Sequence, residues 1–203
     1  MGLLPVSNAQ LSKASRSVTN PKKAAVSHAK RLPNTVRYTV LGMAPKAREL
    51  LEQAASGGTD LETVARGVLE KLADLTGLSS TYLAETRLIS DEQYIVFSCN
   101  RSEEFHIPED VTLPWSEGVC RFVVEGGPNY TTEAQKRFPS SAVARLLEIR
   151  TFISYPVFTA EGRFFGTLCG ASKDPVDIEQ EILDLMRECA VLIGQRLLAE
   201  KNA

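Results

Sequence analysis

Apolar residues at Leu61, Val64, Val68, Leu72 and Leu75 recur in the three- and four-residue steps of one helix face. They predict a helix over LETVARGVLEKLADLTG, capped by Thr59 or Asp60 and ended by Gly77. Ahead of it, APKARELLEQAA predicts a shorter helix with Pro45 in its first turn, and SGGTD separates the two. The period then changes from 3.6 to two. In STYLAETRL, Tyr82, Ala84 and Leu88 alternate with Thr81, Glu85 and Arg87; in QYIVFSC, Ile95, Phe97 and Cys99 alternate with Tyr94, Val96 and Ser98. The turn-like LISDEQ between them predicts an antiparallel pair.

Beyond the polar stretch NRSEEFHIPED, the segment LPWSEGVCRFVVEGG predicts a helix capped by Ser116, running through Val124 and stopping at Gly126-Gly127. NYT is a short strand, and EAQKRFPSSAVARLLEI is helical loop material interrupted at Pro139. TFISYPVF and RFFGTLCGAS are strands joined by a hairpin turn around Glu161-Gly162. Pro156 cannot donate to a ladder, so its position belongs at an edge, a bulge or a break in pairing. Cys169 shares its strand with Thr167 and is expected in the core, on the same face as Phe165.

The chain closes with a helix from about Val176 to Ala199. Ile178, Ile182, Leu185, Cys189 and Leu192 form one apolar row, expected to cover a sheet. Leu183, Met186, Ala190, Ile193 and Leu197 form a second row around the helix, more than one core contact requires. Together with Leu50 and Leu51 this second row is expected to be an exposed patch that a second copy covers. The expectation is a homodimer with Met186, Ile193 and Leu197 in its interface. Strands cluster while helices lie towards the two ends, which is an α+β layout with an antiparallel sheet.

Composition adds a boundary. The 203 residues are 43% hydrophobic and 24% charged, enough for one globular core. Nine of the 23 basic residues precede Glu49, whereas all 25 acidic residues lie at or after it. Residues 1–44 are polar and lack a sustained apolar period, so a disordered basic tail is expected there, followed by one domain over 45–203. Such a tail fits a solvated linker, a contact with the acidic domain, nucleic acid or acidic membrane, or an organelle transit peptide. No apolar run approaches the roughly 20 residues of a membrane helix. The four cysteines, Cys99, Cys120, Cys169 and Cys189, stand apart in sequence without a CxxC pair or a histidine cluster, so reduced thiols, a cytoplasmic location and no metal are expected.

LPWSEGVCRFVVEGG, EIRTFISYPVF and EGRFFGTLCGAS, in that order and spacing, resemble a GAF domain, most of all the subgroup found ahead of bacterial diguanylate cyclases and histidine kinases. The resemblance spans roughly residues 47–199. It rests on the Trp115–Cys120 spacing, on Arg150-Thr151 entering a strand that reaches Pro156, and on Gly166-Thr167-Leu168-Cys169. It implies a central antiparallel sheet of five or six strands, terminal helices on one face and a ligand pocket on the other. Trp115, Cys120, Tyr130, Arg150, Thr151, Ser154 and Cys169 are the pocket candidates it supplies.

The residues also grade the functions the resemblance implies. Bilin-binding relatives attach chromophore through a cysteine usually followed by histidine, and here Arg121 follows Cys120. Haem-binding relatives need an axial histidine, and the chain has His28 in the tail and His106 at a strand end. The Asn-Lys-Phe-Asp-Glu motif of cyclic-nucleotide binders is missing. No cofactor is therefore expected. Free methionine-R-sulfoxide reductases share GVC at a helix start, but they keep two further cysteines upstream, where this chain has Cys99 alone. Cys120 is thus expected to be a pocket-wall residue, with the thiol-dependent reductase as the alternative. The expected function is a sensory module in signal transduction without catalysis of its own. It would bind an unknown small molecule or a partner protein such as an output domain, and neither nucleic acid nor membrane.

Overall fold

The computed structural model describes residues 60–199 together with Glu49. The tail expected over residues 1–44, the short helix over 44–55 and the contribution of Leu50 and Leu51 lie outside the described residues. Within them the chain forms α1 (Leu61–Thr76), β1 (Ser80–Arg87), β2 (Glu92–Asn100), β3 (Thr112–Pro114), a 3-10 turn (Trp115–Glu117) and α2 (Cys120–Val124). There follow β4 (Tyr130–Thr131), α3 (Ala134–Arg137), α4 (Ala142–Leu146), β5 (Thr151–Phe158), β6 (Phe164–Ser172) and α5 (Gln180–Ala199). Asp60 caps α1 by accepting a hydrogen bond from the Thr63 amide at 2.9 Å.

The six strands make one sheet in the order β3-β2-β1-β6-β5-β4, with every neighbouring pair antiparallel. This is the α+β architecture expected from the sequence. Pro156 lies on β5 opposite Thr167, beyond the reach of β4, which pairs with β5 only at Phe152 and Ile153.

Two bulges decide which side chains reach which face. Leu83 pairs with Phe97 and Ala84 with Ile95, so Val96 is an extra residue in β2. One inserted residue reverses the alternation. Ile95 therefore joins one core while Phe97 and Cys99 pack against the other, rather than all three sharing a face as the simple alternation predicts. In β6, Phe165 is the extra residue between Gly166 and Phe164. Phe165 packs with the helix-side core, and Cys169 lies in the opposite one, which corrects the expectation that they share a face.

On one face α1 and α5 lie side by side and bury Leu69, Leu72, Leu83, Ile153, Leu168, Met186 and Ile193. Met186 and Ile193 are fully buried, so the row expected to face a second copy faces its own sheet. Leu185 and Cys189, from the other row, are buried as well. The wide apolar surface of α5 arises because the helix packs on both the sheet and α1, a second contact that its own periodicity does not reveal. Only Leu197 of the three expected interface residues keeps partial exposure. At Gly194, α5 touches the β5 backbone directly: a Cβ there would overlap the Phe158 carbonyl oxygen.

Gly194→Ala is accordingly expected to push α5 off β5 and destabilise the domain by about 1–3 kcal/mol, seen as a lower thermal midpoint. Ile193→Glu is expected to unfold the domain outright, seen by far-UV circular dichroism, because the carboxylate would be buried without a partner.

Candidate functional site

Among the described residues, the other face of the sheet carries no long helix. Its cover is the chain between β3 and β5, in which each of the helices α2, α3 and α4 has only four or five residues. Ser141 organises this cover by accepting from the Ala144 amide at 3.1 Å and donating to the Glu117 carbonyl at 2.8 Å. Asp91, in the β1–β2 turn, accepts from Ser116 through its amide at 2.9 Å and its hydroxyl at 2.6 Å. Ser116 therefore ties the cover to the turn instead of capping a helix. The single helix expected here is broken at Gly118, whose backbone is extended, into the 3-10 turn and α2.

Between sheet and cover lies a cavity of about 20 Å³, lined by Tyr82 and Gln93 from the sheet, Cys120 and Val119 from the cover, and Leu147 and Ile149 behind them. It is just above the roughly 10–15 Å³ that one water needs. Its polar side continues into the sheet. The Gln93 amide nitrogen donates to the Thr167 hydroxyl at 3.4 Å, and the Tyr82 hydroxyl lies 4.0 Å from Cys120 Sγ. Cys120 Sγ is 3.3 Å from Cys169 Sγ, which is itself 3.3 Å from Ser154 Oγ.

These six side chains form a buried polar cluster inside an apolar core. Burial opposes charge on either sulfur. At Cys120 hydrogen bonding from the Cys169, Thr167, Gln93 and Tyr82 side chains overcomes that opposition and holds the thiol below its usual range. Burial pushes the Cys169 thiol well up, and a charge on Cys120 adds to it. In Cys189, burial pushes the thiol up to about 12.

The pocket candidates separate into two groups. Cys120, Ser154 and Cys169 come together at the cavity and its floor. The others do not join them. Trp115 is buried edge-on against Phe164, with centroids 6.2 Å apart, and its amide donates to the Asp91 carbonyl. Tyr130 and Thr151 face the helix side and pin the connection into α5: the Tyr130 hydroxyl donates to the Val176 carbonyl and Thr151 to that of Asp174, each at 2.6 Å. Arg150 is exposed and contributes its backbone, donating to the Ser172 carbonyl at 2.9 Å. Tyr82, Gln93 and Thr167 were not among the candidates. Gln93 carried a readable signal, a polar residue on the same strand phase as Ile95.

A six-stranded antiparallel sheet with two long helices on one face and a short-helix cover over a small cavity on the other defines a two-faced α+β domain. The GAF domain profile matches residues 58–197, and the chain belongs to that family of small-molecule-binding sensory domains in signalling proteins. It is 31% identical over 150 residues to the diguanylate cyclase DgcP of Escherichia coli strain K12, an alignment covering 74% of this chain and 44% of that protein. The chain thus spans less than half the length of that relative. Among solved structures, the fold resembles the GAF domain of an Acinetobacter phosphoenolpyruvate-protein phosphotransferase with TM-score 0.60, 14% identity, and 79% and 98% of the two chains covered. It also resembles the free methionine-R-sulfoxide reductase of Neisseria meningitidis, solved with its substrate, with TM-score 0.60, 21% identity, and 79% and 95% covered. Among the described residues no helix is long and apolar enough to cross a membrane.

The burial pattern sets the order in which the thiols meet a bulky reagent. Cys99 is half-buried while Cys120, Cys169 and Cys189 are buried. Under native conditions a bulky maleimide should label Cys99 first and the other three only on unfolding, as peptide mapping by mass spectrometry would show. Rapid labelling of Cys189 would contradict the packing of α5.

Proposed function

We propose that this GAF domain is the sensory input of a signalling protein and transmits a conformational change without turnover of its own. The observation that carries the reading is the asymmetry of the two sheet faces. One is locked under two long helices, and the other lies under short helical turns around a cavity of about 20 Å³. A metabolite-sized ligand would have to lift the cover, so binding and displacement would be one event. The likeness to a diguanylate cyclase favours an output domain of that kind, in a cytoplasmic setting. A homodimer belongs to this reading, with the half-buried Leu192 and Leu197 as contacts in place of Met186 and Ile193. The acid-free residues 1–44 are assigned as a tail outside the domain. Limited proteolysis should remove them and leave a stable core beginning near residue 45.

The second reading, a stand-alone free methionine-R-sulfoxide reductase, is favoured by the Cys120–Cys169 pair at 3.3 Å. The cavity weighs against it, being far smaller than the amino acid substrate. Incubating the protein with free methionine-R-sulfoxide and a thiol reductant separates the two. The sensory reading expects loss of substrate no faster than the reductant alone produces. Turnover that disappears in Cys120→Ser would replace it with the enzyme reading.

A further inference from the structure

Two thiols whose positions differ by 49 in the sequence meet beneath the cavity, Cys120 Sγ of α2 lying 3.3 Å from Cys169 Sγ of β6. Bonded sulfurs lie about 2.05 Å apart, so joining these two asks for an approach of roughly 1.2 Å. The two segments differ in their freedom to make it. β6 is paired on both edges, by β1 and by β5. The five-residue α2 lies between Gly118 and the Gly126-Gly127 pair at the edge of the cover. Access differs in the same sense: Cys120 lines the cavity and Cys169 stands behind it. The cavity suits a molecule little larger than water, and Tyr82 and Gln93 give it hydrogen-bonding groups.

The geometry points to Cys120 and Cys169 as a redox-active dithiol site that takes a small hydroperoxide as its oxidant and closes to an intrachain disulfide. In the first step the Cys120 thiolate attacks the terminal peroxide oxygen. The O–O bond breaks, a sulfenic acid forms, and the departing alkoxide or hydroxide takes up a proton. In the second step Cys169 sulfur attacks the sulfenic sulfur, its thiol proton is lost, and hydroxide leaves as water. The two thiols give up two electrons and the peroxide accepts them, yielding one disulfide, one water, and one alcohol or second water. An external dithiol restores the starting state. Cys120 lines the cavity and Cys169 stands behind it, which assigns attack to the first and resolution to the second; hydrogen bonding that favours charge at Cys120 acts in the same sense. The event is stoichiometric, one oxidation per domain, and stands whether or not the domain also binds a metabolite.

The test uses the full chain treated with hydrogen peroxide, alkylated in denaturant and mapped by mass spectrometry without reduction. The expected product has two fewer alkylated thiols and one cross-linked peptide pair joining Cys120 to Cys169, reversed by dithiothreitol. In Cys169→Ala, dimedone added together with the denaturant after peroxide should trap a sulfenic acid at Cys120; in Cys120→Ala, Cys169 should remain unlabelled. Should either variant fail to fold, the wild-type map decides alone. Four alkylatable thiols after peroxide, oxidation confined to Cys99, or a link between any other pair would overturn the assignment.

Discussion

The structure depends on β6 being held on every side. Its hydrogen bonds run to β1 on one edge and to β5 on the other, and from Gly166 to Ser172 its residues are buried on both faces. At Gly166 the neighbouring strand comes so close that a Cβ would overlap the Ala84 carbonyl oxygen. A strand so enclosed fixes the alternation of its side chains: Leu168 goes to the helix-side core, and Cys169 and Ala171 go to the cavity side. The two cores are built outward from that choice.

The faces are then completed by different means. α1 and α5 bring long amphipathic helices that pack on the sheet and on each other, and Gly194 lets α5 rest against the β5 backbone. Among the described residues, the cover on the other face has no comparable unit. It is held by single side chains at its corners, Ser141 on Glu117 and Asp91 on Ser116, and by Trp115 against Phe164. Burying Tyr82, Gln93, Thr167, Ser154 and the two thiols there costs desolvation, which their mutual hydrogen bonds oppose. Those groups make this the polar one of the two cores.

Much of this fold was legible in the sequence because it depends on local periodicity. The 3.6 period of α1 and the hairpin TFISYPVF–RFFGTLCGAS translate directly into elements, and the motifs containing Trp115, Arg150 and Cys169 placed them in order. What stayed hidden depends on contacts between distant segments. No periodicity shows that α5 lies beside α1, which is why Met186 and Ile193 looked like a surface. Bulges at Val96 and Phe165 reverse the alternation and cannot be seen before the register is known. The cysteines are scattered in the sequence, and only the closed fold brings Cys120 against Cys169. Trp115, Tyr130, Arg150 and Thr151 were plausible pocket residues by position, yet hydrogen bonding and packing commit them to holding the frame.

A domain that senses through this face would open its cavity-side cover while the helix-side core stays closed. Native-state amide hydrogen exchange as a function of denaturant tests it directly. Amides of α2, α3 and α4 are expected to exchange through a sub-global opening at lower free energy than those of β1, β5, β6 and α5. A single global opening energy shared by cover and helices would contradict it.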